Sequence, residues 1–267
     1  MTGYYPTKPK TFIKDLNDLD ISEKSLHMSV SAKNIDRLKT LQIENLWLIG
    51  AKEKDLAKIL PLTHLKYLNL YQILAADIGI LETQAYPETI VLNWNTKSTQ
   101  LWDIGKNKNL KTLEITDFSK LEDIGQLSLA QQVINLVLGG GHDKPLKIRT
   151  LQPLSALTNL KYLGLTNLKV GDDTLKHLST LKQLEELEIS NQFETKEYAW
   201  LSTRLRNTKC KMFEGTNPCK INGVDNKIVL DTMVTGRKKP FLLSTKDQLK
   251  IKKYIQEFDR LKIELAE

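Results

Sequence analysis

Apolar residues along this chain fall in a recurring phrase, Leu-x-x-Leu-x-Leu, whose fourth and sixth positions alternate with polar or aromatic ones. Residues 62–70 read LTHLKYLNL and residues 157–165 read LTNLKYLGL, identical at seven of nine positions. Allowing other residues in the Leu places, the phrase starts at Leu38, Leu65, Thr89, Leu110, Val133, Leu160, Leu184 and, in degenerate form, Asn207. The steps are 27, 24, 21, 23, 27, 24 and 23 residues. Self-similarity at a fixed period of roughly 20–50 residues marks a solenoid or array. Alternation with period two is the pattern of a short strand with one buried face. A lone strand has nothing of its own to bury that face against, so the units must stack in parallel, each leucine layer covering the next.

With seven to eight units between residues 38 and 213, the chain resembles the leucine-rich-repeat family, whose unit of about 20–29 residues carries L-x-x-L-x-L-x-x-N-x-L. The resemblance implies an α/β fold, with a curved parallel β-sheet on the concave side and short helices and 3₁₀ turns on the convex side. The family's asparagine belongs at the ninth position, whereas Asn45, Asn167 and Asn191 stand at the eighth in this frame. The returns between strands read as mixed. Residues 170–187, VGDDTLKHLSTLKQLEEL, space Leu175, Leu178 and Leu181 by three after an acidic start, which predicts a short helix. Residues 118–127, FSKLEDIGQL, keep that spacing around Gly125 and predict one or two 3₁₀ turns.

The ends of the array depart from the phrase. Residues 1–37 are expected to form an N-terminal cap, with Leu26, Met28 and Val30 alternating as a strand over the first leucine layer. Beyond Phe213, residues 226–243 read as two β segments joined through Gly236, Arg237, Lys238, Lys239 and Pro240. A helix follows the cap pair Ser244 and Asp247, with Ile251, Tyr254, Ile255, Phe258, Leu261 and Leu265 on one face. The expected organisation is a cap over 1–37, repeats over 38–213 and a small ββα appendage over 214–267. That appendage should dock on the last repeat, because so short a segment can hardly cover its own apolar stripe. It is similar to a zinc-ribbon or knuckle module that has lost its ligands. Cys219 follows Pro218, but a structural zinc site takes four Cys or His ligands, and no second pair comes after it.

Composition narrows the function. The chain has 267 residues, 40% apolar and 27% charged, an ordinary soluble balance. No apolar run approaches the roughly 18 residues of a membrane span. The N-terminal MTGYYPTKPKTFIKDL lacks the apolar core of a secretory signal. A cytoplasmic protein with no membrane partner is therefore expected, its Cys210 and Cys219 reduced. His27, His64, His142 and His177 lie in different units, no nucleophile phrase occurs, and Gly139, Gly140 and Gly141 lack the Lys-Ser/Thr of a phosphate loop. The glycines read as a bend into a long return, and the chain as a non-enzymatic protein with no cofactor and no metal. The net charge is +7, and residues 209–267 hold 13 basic against 8 acidic side chains, +5 of that total. Arg237, Lys238 and Lys239 are its densest point, either a solvated hairpin tip or a phosphate contact.

What remains is the outer face of the strands, at the third, fifth and seventh positions of each unit. It should present Thr40, Gln42 and Glu44 in the first unit and Tyr67, Asn69 and Tyr71 in the second. Val91, Asn93 and Asn95 follow in the third, Tyr162 in the sixth, and Glu186 and Glu188 in the seventh. Tyrosine is a low-entropy amphipathic contact residue common at interface hot spots. The expected function is a protein–protein interaction scaffold, or an inhibitor or immunity-type binder, using this concave face. The alternative is a nucleic-acid-associated adaptor using the basic appendage.

Overall fold

Each repeat contributes one strand, as the alternation requires, and the strands stack in the order in which the chain makes them. The structure is a computed structural model that describes residues 3–223 and 228–266, so Asn226 and Lys227 of the expected hairpin lie outside the described residues. The strands are β1 (Ile13–Asp15), β2 (Ser25–Lys33), β3 (Asn45–Ile49), β4 (Tyr67–Ile73), β5 (Thr89–Asn95), β6 (Thr112–Phe118), β7 (Asn135–Gly139), β8 (Leu146–Ile148), β9 (Tyr162–Thr166), β10 (Leu168–Val170) and β11 (Glu186–Ile189). All but β8 and β10 form one parallel sheet of nine strands, and β8 and β10 pair beside it. Cross-strand register places Leu46, Leu68, Ile90, Leu113, Leu136, Leu163 and Leu187 in one ladder. Leu48, Leu70, Leu92, Ile115, Leu138, Leu165 and Ile189 form the next. Both ladders are buried throughout.

The register corrects two units. The first phrase is Ile43, Leu46 and Leu48, not Leu38, Leu41 and Ile43, because Leu46 and Leu48 pair with Leu68 and Leu70. Leu38 lies in a 3₁₀ turn, Ile35–Lys39. The third phrase is Pro87, Ile90 and Leu92, two residues before the expected frame. In both places a second apolar triple fits the same spacing, and only pairing with a neighbouring strand selects between them. Corrected starts give steps of 22, 22, 23, 23, 27 and 24 residues from Ile43 to Leu184. Beyond β11 the degenerate unit survives as one parallel bridge, Glu186 to Lys209.

The convex side is mixed: α1 (Glu53–Ile59) and α2 (Thr195–Arg204) flank a run of short 3₁₀ turns. The expected helix after Val170 is such a turn, Lys176–Thr180, with Leu175, Leu178 and Leu181 all buried. Three-residue spacing is the period of a 3₁₀ turn, so the leucines eclipse and all point inward. The longest step follows β7, where a Cβ on Gly140 would lie 2.5 Å from the carbonyl oxygens of both Asn167 and Lys144. Only glycine fits that crossing.

The first leucine layer is covered by β2, which runs parallel to β3 and sets Leu26 and Met28 in the two ladders. At the other end, β12 (Thr216–Asn222), β13 (Ile228–Val234) and β14 (Phe241–Leu242) form an antiparallel sheet, followed by α3 (Gln248–Glu264). The first of these strands is absent from the expected ββα pattern, since Pro218 interrupts it. Proline is tolerated there because β12 is an edge strand. Phe258 of α3 belongs to the solenoid core, while Ile255, expected on the same face, is 39% exposed. The Arg204 guanidinium donates to the carbonyls of Ala266 and Leu265 at 3.2 and 3.4 Å. Asn191 donates to the Val234 carbonyl at 2.9 Å and accepts from the Gly236 N–H at 2.6 Å. Among the described residues no helix is long and apolar enough to cross a membrane.

Candidate functional site: the concave face

Alternation sends the residues between the two ladders to the opposite face of the sheet. The row nearest the strand starts is Asn45, Tyr67, Thr89, Thr112, Asn135 and Tyr162, all buried, and then Glu186. Hydrogen bonds run along it: Asn45 Nδ2 donates to Ser25 Oγ and Asn135 Nδ2 to Thr112 Oγ1, each at 3.0 Å. The middle row is Trp47, Asn69, Val91, Glu114, Val137, Gly164 and Glu188. Trp47, Tyr67 and Val91 make an apolar cluster separate from the leucine core, with the Trp47 and Tyr67 rings 4.9 Å apart. The far row includes Tyr71, Asn93 and Thr116, where Asn93 Nδ2 donates to Thr116 Oγ1 at 2.7 Å.

Toward the last repeats the face turns acidic. The Tyr162 hydroxyl donates to Glu188 Oε2 at 2.7 Å, passing beside Gly164. Burial, and then this carboxylate, raise the Tyr162 phenol well above its ordinary range, and burial raises Tyr67 as well. Both stay protonated near neutral pH, Tyr162 donating to Glu188 and Tyr67 accepting from Asn69 Nδ2. Among the described residues no three His, Cys, Asp or Glu side chains converge as a metal site.

The expected residues divide into groups. Asn69, Tyr71, Asn93, Glu186 and Glu188 stand on the concave face, with Tyr67 and Tyr162 on it but buried. Thr40, Gln42 and Glu44 precede β3 and lie off the sheet, Glu44 being held between Lys24 and Lys66 at 2.7 and 2.8 Å. Asn95 turns inward and is wholly buried. Its Nδ2 donates to the Ala75 carbonyl at 3.0 Å, and its Oδ1 accepts from the Lys97 and Ser98 N–H groups at 2.7 and 2.8 Å. Counted from Pro87, Asn95 is the ninth residue, the place of the repeat's asparagine. The eighth residue of five units, Gly50, Gln72, Trp94, Asp117 and Asn167, has positive φ. One parallel strand per 22–27 residues, a left-handed eighth residue and a buried ninth decide the architecture. The chain is a leucine-rich-repeat solenoid.

No protein-family model matches this leucine-rich-repeat chain, and no curated protein matches it either. Among solved structures, internalin C2 of Listeria monocytogenes is similar at 19% identity over 67% of this chain and 74% of that one, with a TM-score of 0.45. Internalin F of the same organism is similar at 16% identity over 69% and 59%, with a TM-score of 0.44. The TLR13 chain of a TLR13–ssRNA13 complex follows at 14% identity over 66% and 42%, with a TM-score of 0.25.

In the appendage Arg237 makes two hydrogen bonds to the Asp173 carboxylate at 2.9 and 2.7 Å. Lys239 lies over the Tyr254 ring and 3.7 Å from Glu257. Lys238 sits exposed at the turn with φ 60°. Two of the three cations are thus engaged within the chain.

Sequence reasoning missed two features of the leucine-rich-repeat face. Trp94, the sixth and hence inward position of a unit starting at Thr89, is 37% exposed in the true register and meets Tyr71, 43% exposed, edge-on at 5.6 Å. A frame search that preferred uniform steps would have found it. The second is the N-terminal segment itself. The Tyr4 hydroxyl donates to Asn45 Oδ1 at 3.0 Å, the Tyr4 carbonyl accepts from Thr89 Oγ1 at 2.9 Å, and the Tyr5 hydroxyl donates to Glu114. Burial, and then Glu114, raise the Tyr5 phenol far above its ordinary range. No local pattern in GYYPTKPKTF marks where it docks.

Proposed function

We propose that this leucine-rich-repeat solenoid is a non-catalytic scaffold that holds a protein partner on its concave face. The exposed Tyr71–Trp94 pair carries this reading. Four of the five left-handed eighth positions hold Gly, Gln, Asp or Asn, residues suited to a turn, and the remaining one holds Trp94. A bulky aromatic at positive φ is unfavourable for the backbone. Its side chain is partly exposed beside a second partly exposed ring, the kind of rigid aromatic anchor that dominates interface energetics. Glu186 and Glu188 at the other end favour a partner with a basic flank. An inhibitor or immunity-type role is the same reading with a narrower partner.

The test is capture of the partner from lysate of the source organism by three proteins: wild type, Tyr71→Ala with Trp94→Ala, and Arg237→Ala with Lys238→Ala and Lys239→Ala. The aromatic pair should weaken binding by about 2 kcal/mol or more if it is a hot spot. The basic-loop variant should bind as wild type does. The reverse pattern would favour binding through the appendage, and a steep salt dependence would then point to nucleic acid.

A further inference from the structure

We propose that residues 3–12 are a tethered ligand of the concave face, and that the partner is an extended, basic, tyrosine-bearing segment that displaces them. This rests on the concave-face reading above and adds its regulation and its partner's chemistry. The segment has no strand or helix and crosses the sheet from β6 back to β2. Gly3 lies against Thr112, Tyr5 reaches Glu114, Tyr4 joins Thr89 and Asn45, and the Phe12 ring meets His27 edge-on at 4.8 Å. Every one of those positions is on the concave surface.

The way it is held is that of a ligand rather than a cap. Capping of the leucine core is done by β1, β2 and the turn between them, where Leu16, Leu26 and Met28 are fully buried. In contrast Tyr4, Tyr5 and Phe12 stay 37%, 41% and 38% exposed. Tyr4 and Tyr5 are fixed by hydroxyl and carbonyl hydrogen bonds to side chains of the groove and Phe12 by its ring contact with His27, so removing those contacts leaves the leucine ladders covered. Pro6 and Pro9 hold the preceding residues in extended conformations, which lowers the entropy cost of laying the segment down. Residues 3–12 contain Lys8 and Lys10 and no acid, and the carboxylate they meet on the sheet is Glu114, through Tyr5. A short tether supplies such a segment at an effective concentration of about millimolar. A contact with a dissociation constant of about 0.1 mM then keeps the groove about nine-tenths occupied and lowers apparent partner affinity about tenfold.

The experiment uses a fluorescent peptide with the sequence of residues 2–13, followed by polarisation against full-length wild type and full-length Tyr4→Ala with Tyr5→Ala. The variant, its own segment released, should bind the peptide about tenfold more tightly than wild type. Adding Glu114→Gln to it should remove most of that gain. In wild type, the Tyr4 and Tyr5 ring resonances should move toward their free-peptide positions when unlabelled peptide is added, a readout that needs no variant. Equal peptide affinity for both proteins, or unmoved resonances, would overturn the proposal and leave the segment a fixed cover. The two readings fail separately. If peptide binding behaves as expected while the Tyr71 and Trp94 changes leave partner capture intact, the tethered segment stands and the scaffold reading falls. If those changes abolish capture but the Tyr4 and Tyr5 changes affect neither peptide nor partner, the tethered-ligand inference alone falls.

Discussion

Replacing Phe258 with alanine tests whether the C-terminal appendage is part of the solenoid or a module beside it. The ring is 1% exposed and lies in the leucine core. Helix α3 cannot move inward to fill the space, because a Cβ on Gly215 would already lie 2.9 Å from Phe258 Cβ and 3.0 Å from Ile255 Cα. A site that cannot collapse pays both the transfer and the cavity cost, so the loss should fall in the upper half of the roughly 3–5 kcal/mol seen for buried Phe→Ala. In an array stabilised by nearest-neighbour terms, a terminal lesion should open the end before the middle. Urea unfolding gives the total, and hydrogen exchange by segment gives the place. Exchange should quicken in β12, β13, α3 and α2 and stay nearly unchanged in β4 to β6. A control on the same helix, Ile263→Ala at 75% exposure, should cost within about 0.5 kcal/mol. A Phe258→Ala protein with wild-type unfolding and wild-type exchange around α2 would refute the docking argument.

Three further outcomes follow from single sites. Asn95→Ala should cost about 2–4 kcal/mol by urea unfolding, since it strips the partner from one buried carbonyl and two N–H groups; a loss below that range would mean that water replaces the side chain. Hydrogen bonds from Lys24, then Lys66, hold the Glu44 carboxyl down at about 2. Its contribution is therefore full above the ordinary carboxylate range and is lost as pH falls toward 2, so the melting difference between wild type and Glu44→Gln should shrink in acid and with added salt. A difference that persists at the lowest pH would show that the charge is not its source. Burial pushes the Cys210 thiol up to about 11, whereas Cys219 lies on the edge strand β12. At pH 8 a thiol reagent should modify Cys219 faster than the partly buried Cys210, and equal rates would contradict the raised Cys210 thiol.

By itself the sequence determined the architecture. The leucine phrase recurs often enough that stacking its apolar faces is the way to remove them from water, so a parallel solenoid with a concave sheet was legible from spacing alone. The apolar stripe of α3 likewise announced that something must cover Phe258. Frame was another matter. Leu38-x-x-Leu41-x-Ile43 and Ile43-x-x-Leu46-x-Leu48 satisfy one pattern equally, and a strand's neighbour, not its own residues, selects the register. That selection moved Asn95 from the surface to the core and Trp94 from the core to the surface, because a shift of two residues keeps the facing of the strand but changes which residue meets the turn. The placement of Tyr4 and Tyr5 was decided only in three dimensions. Their contacts with Asn45, Thr89 and Glu114 span 41, 85 and 109 residues. No local periodicity carries pairings at that separation, since they exist only once the stacked repeats have brought three distant strands under one extended segment.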